Sequence, residues 1–199
     1  MKATLLIAGL LATQIAWSQL LPGVRLGEPS YGGTGCPAGT ASVSLSPDAD
    51  EISILFDQFV AEAGHPTGRR TDRKACNLSI PLHIPQGYSA TVVQTDFRGF
   101  NLVPSGGVNR INTEYFWAGS RGPVYTDVFS GPQNRDYFTT NGVVASGVIW
   151  TPCGQEVNLR IRATIMTQTN SRLDQSMMTV DSADVSAGLI YHIQWRRCR

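Results

Sequence analysis

Asp96, Glu114, Asp127 and Asp136 are the carboxylates that could meet across a sugar linkage, because hydrolysing a glycoside takes two acids on opposite sides of one bond. They define one function class, a small secreted hydrolase using loop carboxylates. Any β domain of this size carries as many acids for solubility, so this class is the alternative reading. Serine chemistry has less support: the approach to a G-x-S-x-G elbow, Gly87-Tyr88-Ser89-Ala90-Thr91, lacks the last glycine and sits in a strand-like run. Asp48, Asp50 and Glu51 crowd one turn with the hard oxygens that calcium takes, but their spacing falls short of an EF-hand loop. A turn in which Asp48 caps its own backbone accounts for them. His65, His83 and His192 are scattered and no C-x-x-C pair exists, so neither a metal site nor a cofactor is expected.

Binding chemistry has better material. Tyr125, Tyr137 and Phe138 lie among Gly122-Pro123, Gly131-Pro132 and Asn134, which places them on a long connection where exposed rings can stack on sugars. They are the candidate ligand-binding residues. In Tyr115-Phe116-Trp117, strand alternation turns Tyr115 and Trp117 to one face and Phe116 to the other. Asp96-Phe97-Arg98-Gly99-Phe100 reads as a structural corner: Gly99 marks a kink or bulge, and Asp96 and Arg98 share a face where they pair or clamp a loop. Sixteen Lys and Arg against fifteen Asp and Glu give a net charge of +1, so no global field favours nucleic acid or an anionic membrane. The dense basic run Arg69, Arg70, Arg73, Lys74 reads as a solvated loop with Asp72 partly compensating.

These residues must be carried by strands. Cys76, Leu78, Ile80, Leu82 and Ile84 alternate with Asn77, Ser79, Pro81 and His83, the period of a half-buried strand, and Pro81 marks it as an edge or bulged one. The same period runs through Val157–Ile165 and Ala187–Trp195. Further strand candidates are Ala41–Leu45, Ile52–Phe59, Tyr88–Asp96, Arg110–Trp117, Val143–Trp150 and Met177–Val180, separated by turn chemistry such as Ser46-Pro47-Asp48 and Asn141-Gly142. Phe56–Ala63 has the pattern of one or two helical turns at most. The fold class that follows is all-β: one β-sandwich or jelly roll of about eight to ten antiparallel strands.

Lys2, the apolar run Leu5–Ala12 and Ala16-Trp17-Ser18 form an export signal with cleavage expected after Ser18. Thr13 and Gln14 interrupt the apolar run well before the roughly 20 residues of a bilayer span. The expected layout is a signal peptide over 1–18, an extended Gly-rich arm over 19–35 and a β-sandwich domain over 36–199. Export puts Cys36, Cys76, Cys153 and Cys198 where disulfides persist. Of the three possible pairings, chain order favours Cys36 with Cys76 and Cys153 with Cys198, each closing a loop of roughly 40 to 45 residues, which stabilises by about 4 kcal/mol in the chain-entropy model. Asn77-Leu78-Ser79 is the only N-x-S/T sequon, with Asn77 facing outward in the strand.

Gly35-Cys36-Pro37, Ser42–Asp48, Phe56-Asp57-Gln58-Phe59, Arg73–Leu78, Asp96–Phe100, Trp150-Thr151-Pro152-Cys153-Gly154, Val180-Asp181-Ser182 and Trp195-Arg196-Arg197-Cys198 occur in one order along the chain. Together they resemble domain of unknown function 4360, a family of small secreted four-cysteine proteins, from about Gly35 to Cys198. The resemblance implies an exported, cross-linked, largely β protein and supplies no catalytic residues. Phe97 and Phe100 stand where tyrosine is equally expected, which favours packing over polar recognition. The leading reading is a secreted non-catalytic binding or structural protein, extracellular or, in a Gram-negative host, periplasmic. Its partner would be a surface glycan, an envelope component or a cell-surface protein, with no nucleic acid and no membrane span.

Overall fold

Alternation in the sequence becomes alternation in burial. The structure, a computed structural model, describes residues 23–144, 147–180 and 188–198, so the export signal expected over 1–18 lies outside the described residues. Thirteen strands appear: β1 Arg25–Leu26, β2 Ser30–Gly32, β3 Ala41–Leu45, β4 Glu51–Phe56, β5 Val60–Ala63, β6 Thr71–His83, β7 Tyr88–Val103, β8 Val108–Trp117, β9 Val124–Ser130, β10 Gln133–Gly142, β11 Glu156–Gln168, β12 Ser176–Thr179 and β13 Leu189–Arg197. Every pairing between them is antiparallel, in two sheets. The six-stranded sheet runs β1-β6-β11-β8-β9, with β2 also on β6. The seven-stranded sheet runs β3-β4-β13-β7-β12-β5, with β10 on the other edge of β7.

Each sheet gives its apolar face to one core. Leu78, Ile80 and Leu82 of β6, Leu159, Ile161 and Ile165 of β11, and Ile111, Tyr115 and Trp117 of β8 meet Ile52, Ile54, Phe97, Leu189 and Tyr191 from the other sheet. Fully burying a side chain of this kind is worth about 1.5–3 kcal/mol. At one end the sheets are also joined by polar groups. Asn109 Nδ2 donates to Asn101 Oδ1 (2.9 Å) and to the Met177 carbonyl (2.7 Å), and Thr167 Oγ1 donates to Asn109 Oδ1 (2.6 Å). All of these side chains are buried. Buried polar groups need such partners because an unpaired one costs about 1–3 kcal/mol.

The disulfides pair as chain order favours. Cys36–Cys76, with Cα atoms 5.4 Å apart, is fully buried and ties the segment before β3 to β6. Cys153–Cys198, with Cα atoms 6.1 Å apart, fastens the end of β13. The arm does not stand apart from the sheet, since β1 and β2 both add to the outer edge of β6. They break opposite Pro81, whose carbonyl accepts from Gly27 N–H at 2.8 Å. The N–H and C=O of one strand residue point the same way, so the donor that proline lacks would have faced this edge.

Three sequence expectations are corrected. Val143–Trp150 is not a strand: its described residues form an irregular strap that continues along the β7 edge where β10 stops, with Val143 N–H donating to Val93 O and Thr151 N–H to Ala90 O. At Ile149, Thr91 Oγ1 and Trp117 Nε1 both donate to the backbone carbonyl, so side chains stand there in place of a backbone ladder. Phe56–Ala63 holds no helical turn; β4 ends at Phe56 and β5 begins at Val60. The long connection expected around Tyr125, Tyr137 and Phe138 is two strands, β9 on the edge of one sheet and β10 on β7 of the other, joined across the cis Gly131–Pro132 peptide. Pairing with β8 and β7 made strands of segments whose own pattern is poor, with Asp127 inward and Val124 and Val128 exposed.

Candidate functional site

Register places the side chains that the core leaves out. On the six-stranded sheet, Asn158, Arg160, Arg162, Thr164 and Met166 of β11 point away from the core, between inward Leu159, Ile161, Ala163 and Ile165. Cross-strand neighbours then form rows over the outer face: Ser79, Arg160 and Phe116; Asn77, Arg162 and Glu114; Arg73, Met166 and Arg110. Side chains so aligned on one face stand close enough to act together.

The first two rows enclose a depression of about 480 Å³ between β6 and the β8 end, lined by Asn77, Phe116, Gly119, Arg160 and Arg162. Phe116 is half-buried, and the guanidinium carbon of Arg162 lies 5.3 Å from its ring centre. Arg162 Nη1 donates to Glu114 Oε2 at 3.2 Å, so ring and carboxylate together fix the guanidinium. Arg160 has no described partner and remains exposed. Asn77, the sequon residue, is exposed opposite Gly32, where an added Cβ would meet no atom within 4 Å, and Gly119 is equally open. The mouth is therefore unobstructed. It offers an aromatic surface, a fixed guanidinium and a free one, and an amide: groups that stack on and hydrogen-bond to a polyhydroxylated chain.

Of the residues singled out from sequence, few meet. Tyr137 points inward, is 8% exposed, and donates its hydroxyl to the Thr179 carbonyl at 2.8 Å. Burial raises its pKa far above the ordinary 10.0, as it does for Tyr191. Tyr125 is half-buried and stacks on Tyr115 with centroids 6.4 Å apart. Only Phe138 of the three stands clear, 55% exposed on the outer face of the seven-stranded sheet, under the Arg98 guanidinium at 5.1 Å. Gly99 produces no kink, as β7 runs unbroken through it; a Cβ there would come within 2.0 Å of the Thr179 carbonyl and 2.7 Å of the Tyr137 hydroxyl. Asp96 pairs with neither Arg98 nor a loop. It accepts from Gln94 at 3.2 Å and lies 2.7 Å from His192 Nε2, whose Nδ1 is 3.2 Å from Glu51.

The four acids are all on strands, β7 to β10, and not on loops. Asp96 and Glu114 occupy opposite outer faces. Asp136 shares a face with Asp96, but the partner of Asp96 on β10 is Thr140, four residues away, or roughly 13 Å at about 3.3 Å per residue. Glycosidase carboxylates stand no more than about 9.5 Å apart. Asp127 faces inward at the sheet edge, with Asn141 Nδ2 at 3.4 Å. At the β3–β4 turn, Asp50 accepts from Ser46 Oγ (2.8 Å), and hydrogen bonds from Ser46 and the turn hold the Asp48 carboxyl below its ordinary pKa. Among the described residues no three His, Cys, Asp or Glu side chains cluster as metal ligands.

A second concavity of about 620 Å³ lies at the Cys153–Cys198 end, beside Ser89, Thr151, Arg196 and Arg197. Ser89 Oγ donates to the Thr151 carbonyl, Thr151 Oγ1 accepts from Ala90 N–H, and Arg196 covers the Trp150 ring at 4.0 Å. Ser89 and Thr151 are thus engaged and Arg196 lies on a ring, while Arg197 is exposed without a described partner, as Arg160 is in the first depression. Sequence alternation sets Phe116 on the face opposite Tyr115 and Trp117; what it does not supply is which face is the outer one, or the cross-strand pairing that brings Arg160, Arg162 and Asn77 beside it.

The model of the domain of unknown function DUF4360 matches residues 22–198. The chain belongs to the DUF4360 family. A relative from Arthroderma benhamiae, described as an uncharacterized secreted protein, is 32% identical over 170 residues, covering 85% of this chain and 69% of its own. This protein is likewise secreted, as its two disulfides fit. The solved structure of TmCBM61 in complex with β-1,4-galactotriose aligns over 91% of this chain and 92% of its own, at 11% identity and a TM-score of 0.27, and carries no argument. No helix among the described residues is long and apolar enough to cross a membrane.

Proposed function

We propose that this DUF4360 member is a secreted, non-catalytic binding protein that holds a glycan chain against the outer face of its six-stranded sheet. The observation that carries this reading is the open depression in which Phe116 lies under Arg162 and beside unpaired Arg160. A ring supplies apolar contact with a sugar face, and guanidinium forks supply directional bonds to its oxygens. Antiparallel strands fix the backbone spacing, and ring and carboxylate hold Arg162, so the ordering cost of binding falls mainly on Arg160. The Phe138 surface, with Arg98 over the ring, is a smaller second platform.

The test is a pull-down on a panel of insoluble and immobilised polysaccharides, using protein from a bacterial periplasm so that Asn77 is bare. Wild-type protein should be retained on at least one glycan, and Phe116→Ala should lose about tenfold in affinity with the melting curve unchanged. Retention unaffected by Phe116→Ala but abolished by Phe138→Ala would move the site to the other sheet. Slow release of soluble sugar, abolished by replacing Asp96 or Glu114, would restore the hydrolase reading.

A further inference from the structure

The near-neutral chain separates its charges in space. Outward strand positions of the six-stranded sheet carry Arg25, Arg73, Arg110, Arg160 and Arg162 against only Glu114 and Glu156. Glu114 is engaged by Arg162 at 3.2 Å, and Glu156 stands at the far end of β11, 3.5 Å from His83 Nδ1. Arg25, Arg73, Arg110 and Arg160 are exposed and have no described partner. They are spread along the face: Arg160 and Arg162 border the depression, and the row of Arg73 and Arg110 lies four β11 residues from Arg162, roughly 13 Å at about 3.3 Å per residue.

From this we infer that the ligand of the face is an acidic polysaccharide, a polyuronate chain whose carboxylates meet Arg160, Arg73 and Arg110 while one sugar occupies the depression over Phe116. The inference rests on the glycan-binding reading and narrows it by charge. Guanidinium groups match carboxylates bidentately and stay charged at every relevant pH. A neutral glycan would leave four arginines of the face without a counterpart. A surface that used its arginines for structure would pair them, as Arg162 is paired.

Polygalacturonate and its fully methyl-esterified form share one backbone and differ in charge. Binding of each to immobilised protein, measured at about 50 and 300 mM NaCl, separates the possibilities, because exposed charge pairs weaken as salt shortens their range. Expected are retention of polygalacturonate, about tenfold weaker affinity at the higher salt, and at least tenfold weaker binding of the methyl ester. Arg73→Ala/Arg110→Ala, remote from the depression, should reduce the salt dependence and leave the melting temperature unchanged. Equal, salt-independent binding of both polymers would overturn the acidic assignment while leaving the glycan-binding reading intact. Failure of both polymers and of every glycan in the panel would remove the glycan-binding reading itself. Single-stranded DNA bound as tightly as polygalacturonate would reduce the face to a general polyanion surface and overturn the assignment.

Discussion

The outer faces of the two sheets treat charge in opposite ways. On the seven-stranded sheet, His192 stands between Asp96 and Glu51 at 2.7 and 3.2 Å, Gln94 adds to the same carboxylate, and Asp96 is only 6% exposed. On the six-stranded sheet, arginines stand in the open, and the one that is paired, Arg162, is fixed over a ring at the rim of a depression. Satisfied clusters specify and hold a fold, whereas open charges beside a fixed ring are, in the function proposed above, the groups left for a ligand. Substitutions on the first face should therefore register in stability and those on the second in binding.

The largest expected effect concerns two adjacent residues of β10. Tyr137→Ala should cost about 3–5 kcal/mol in denaturant unfolding, as for other buried aromatic truncations, while Phe138→Ala, on the solvent side, should stay within about 0.5 kcal/mol. Equal losses at both would contradict the inward and outward assignment. Tyr137 and Tyr191 also set an alkaline limit. Their folded pKa values are raised by burial above the unfolded 10.0, so the stability that they confer is complete below pH 10 and is lost as pH rises beyond it. Phenolate absorbance of these rings should appear only together with unfolding.

Next in size is Asp96→Ala, which strips His192 and Gln94 of their acceptor and should destabilise by about 2 kcal/mol without altering glycan retention. Lost retention would mean that the seven-stranded face takes part in binding. The smallest effect is expected from Glu114→Gln. An exposed ion pair contributes under about 1 kcal/mol, so the melting temperature should hardly move, while freeing the Arg162 charge should tighten polygalacturonate binding by about twofold. Weaker binding would show that Glu114 contacts the ligand or is needed to orient Arg162.

Much of the fold is legible in the chain. The alternation in Cys76–Ile84 and Val157–Ile165 marks β6 and β11, and the order of the cysteines gives both disulfides. The strands β9 and β10 are not legible: in β9 Val124 and Val128 face solvent and Asp127 faces inward, so these strands exist through their neighbours β8 and β7 and not through their own pattern. That gap makes loop residues of Tyr125, Tyr137 and Phe138, which the structure places on β9 and β10. Alternation separates Phe116 from Tyr115 and Trp117, but its company is not legible. Arg160 and Arg162 come from a strand more than forty residues further on, and Asn77 from one well before it, so only the register of β6, β11 and β8 brings them together. Net charge misleads for the same reason: +1 over the chain says nothing of arginines gathered on one face.

The central claim, that the β6–β11–β8 face is where this protein binds, is tested most directly by titrating isotope-labelled protein with polygalacturonate oligomers and following backbone and arginine side-chain resonances. The account predicts shifts concentrated at Asn77, Phe116, Arg160 and Arg162, with Gln94, Asp96 and His192 unmoved. Shifts confined to Gln94, Asp96, Phe138 and His192, or no shifts at saturating oligomer, would contradict it.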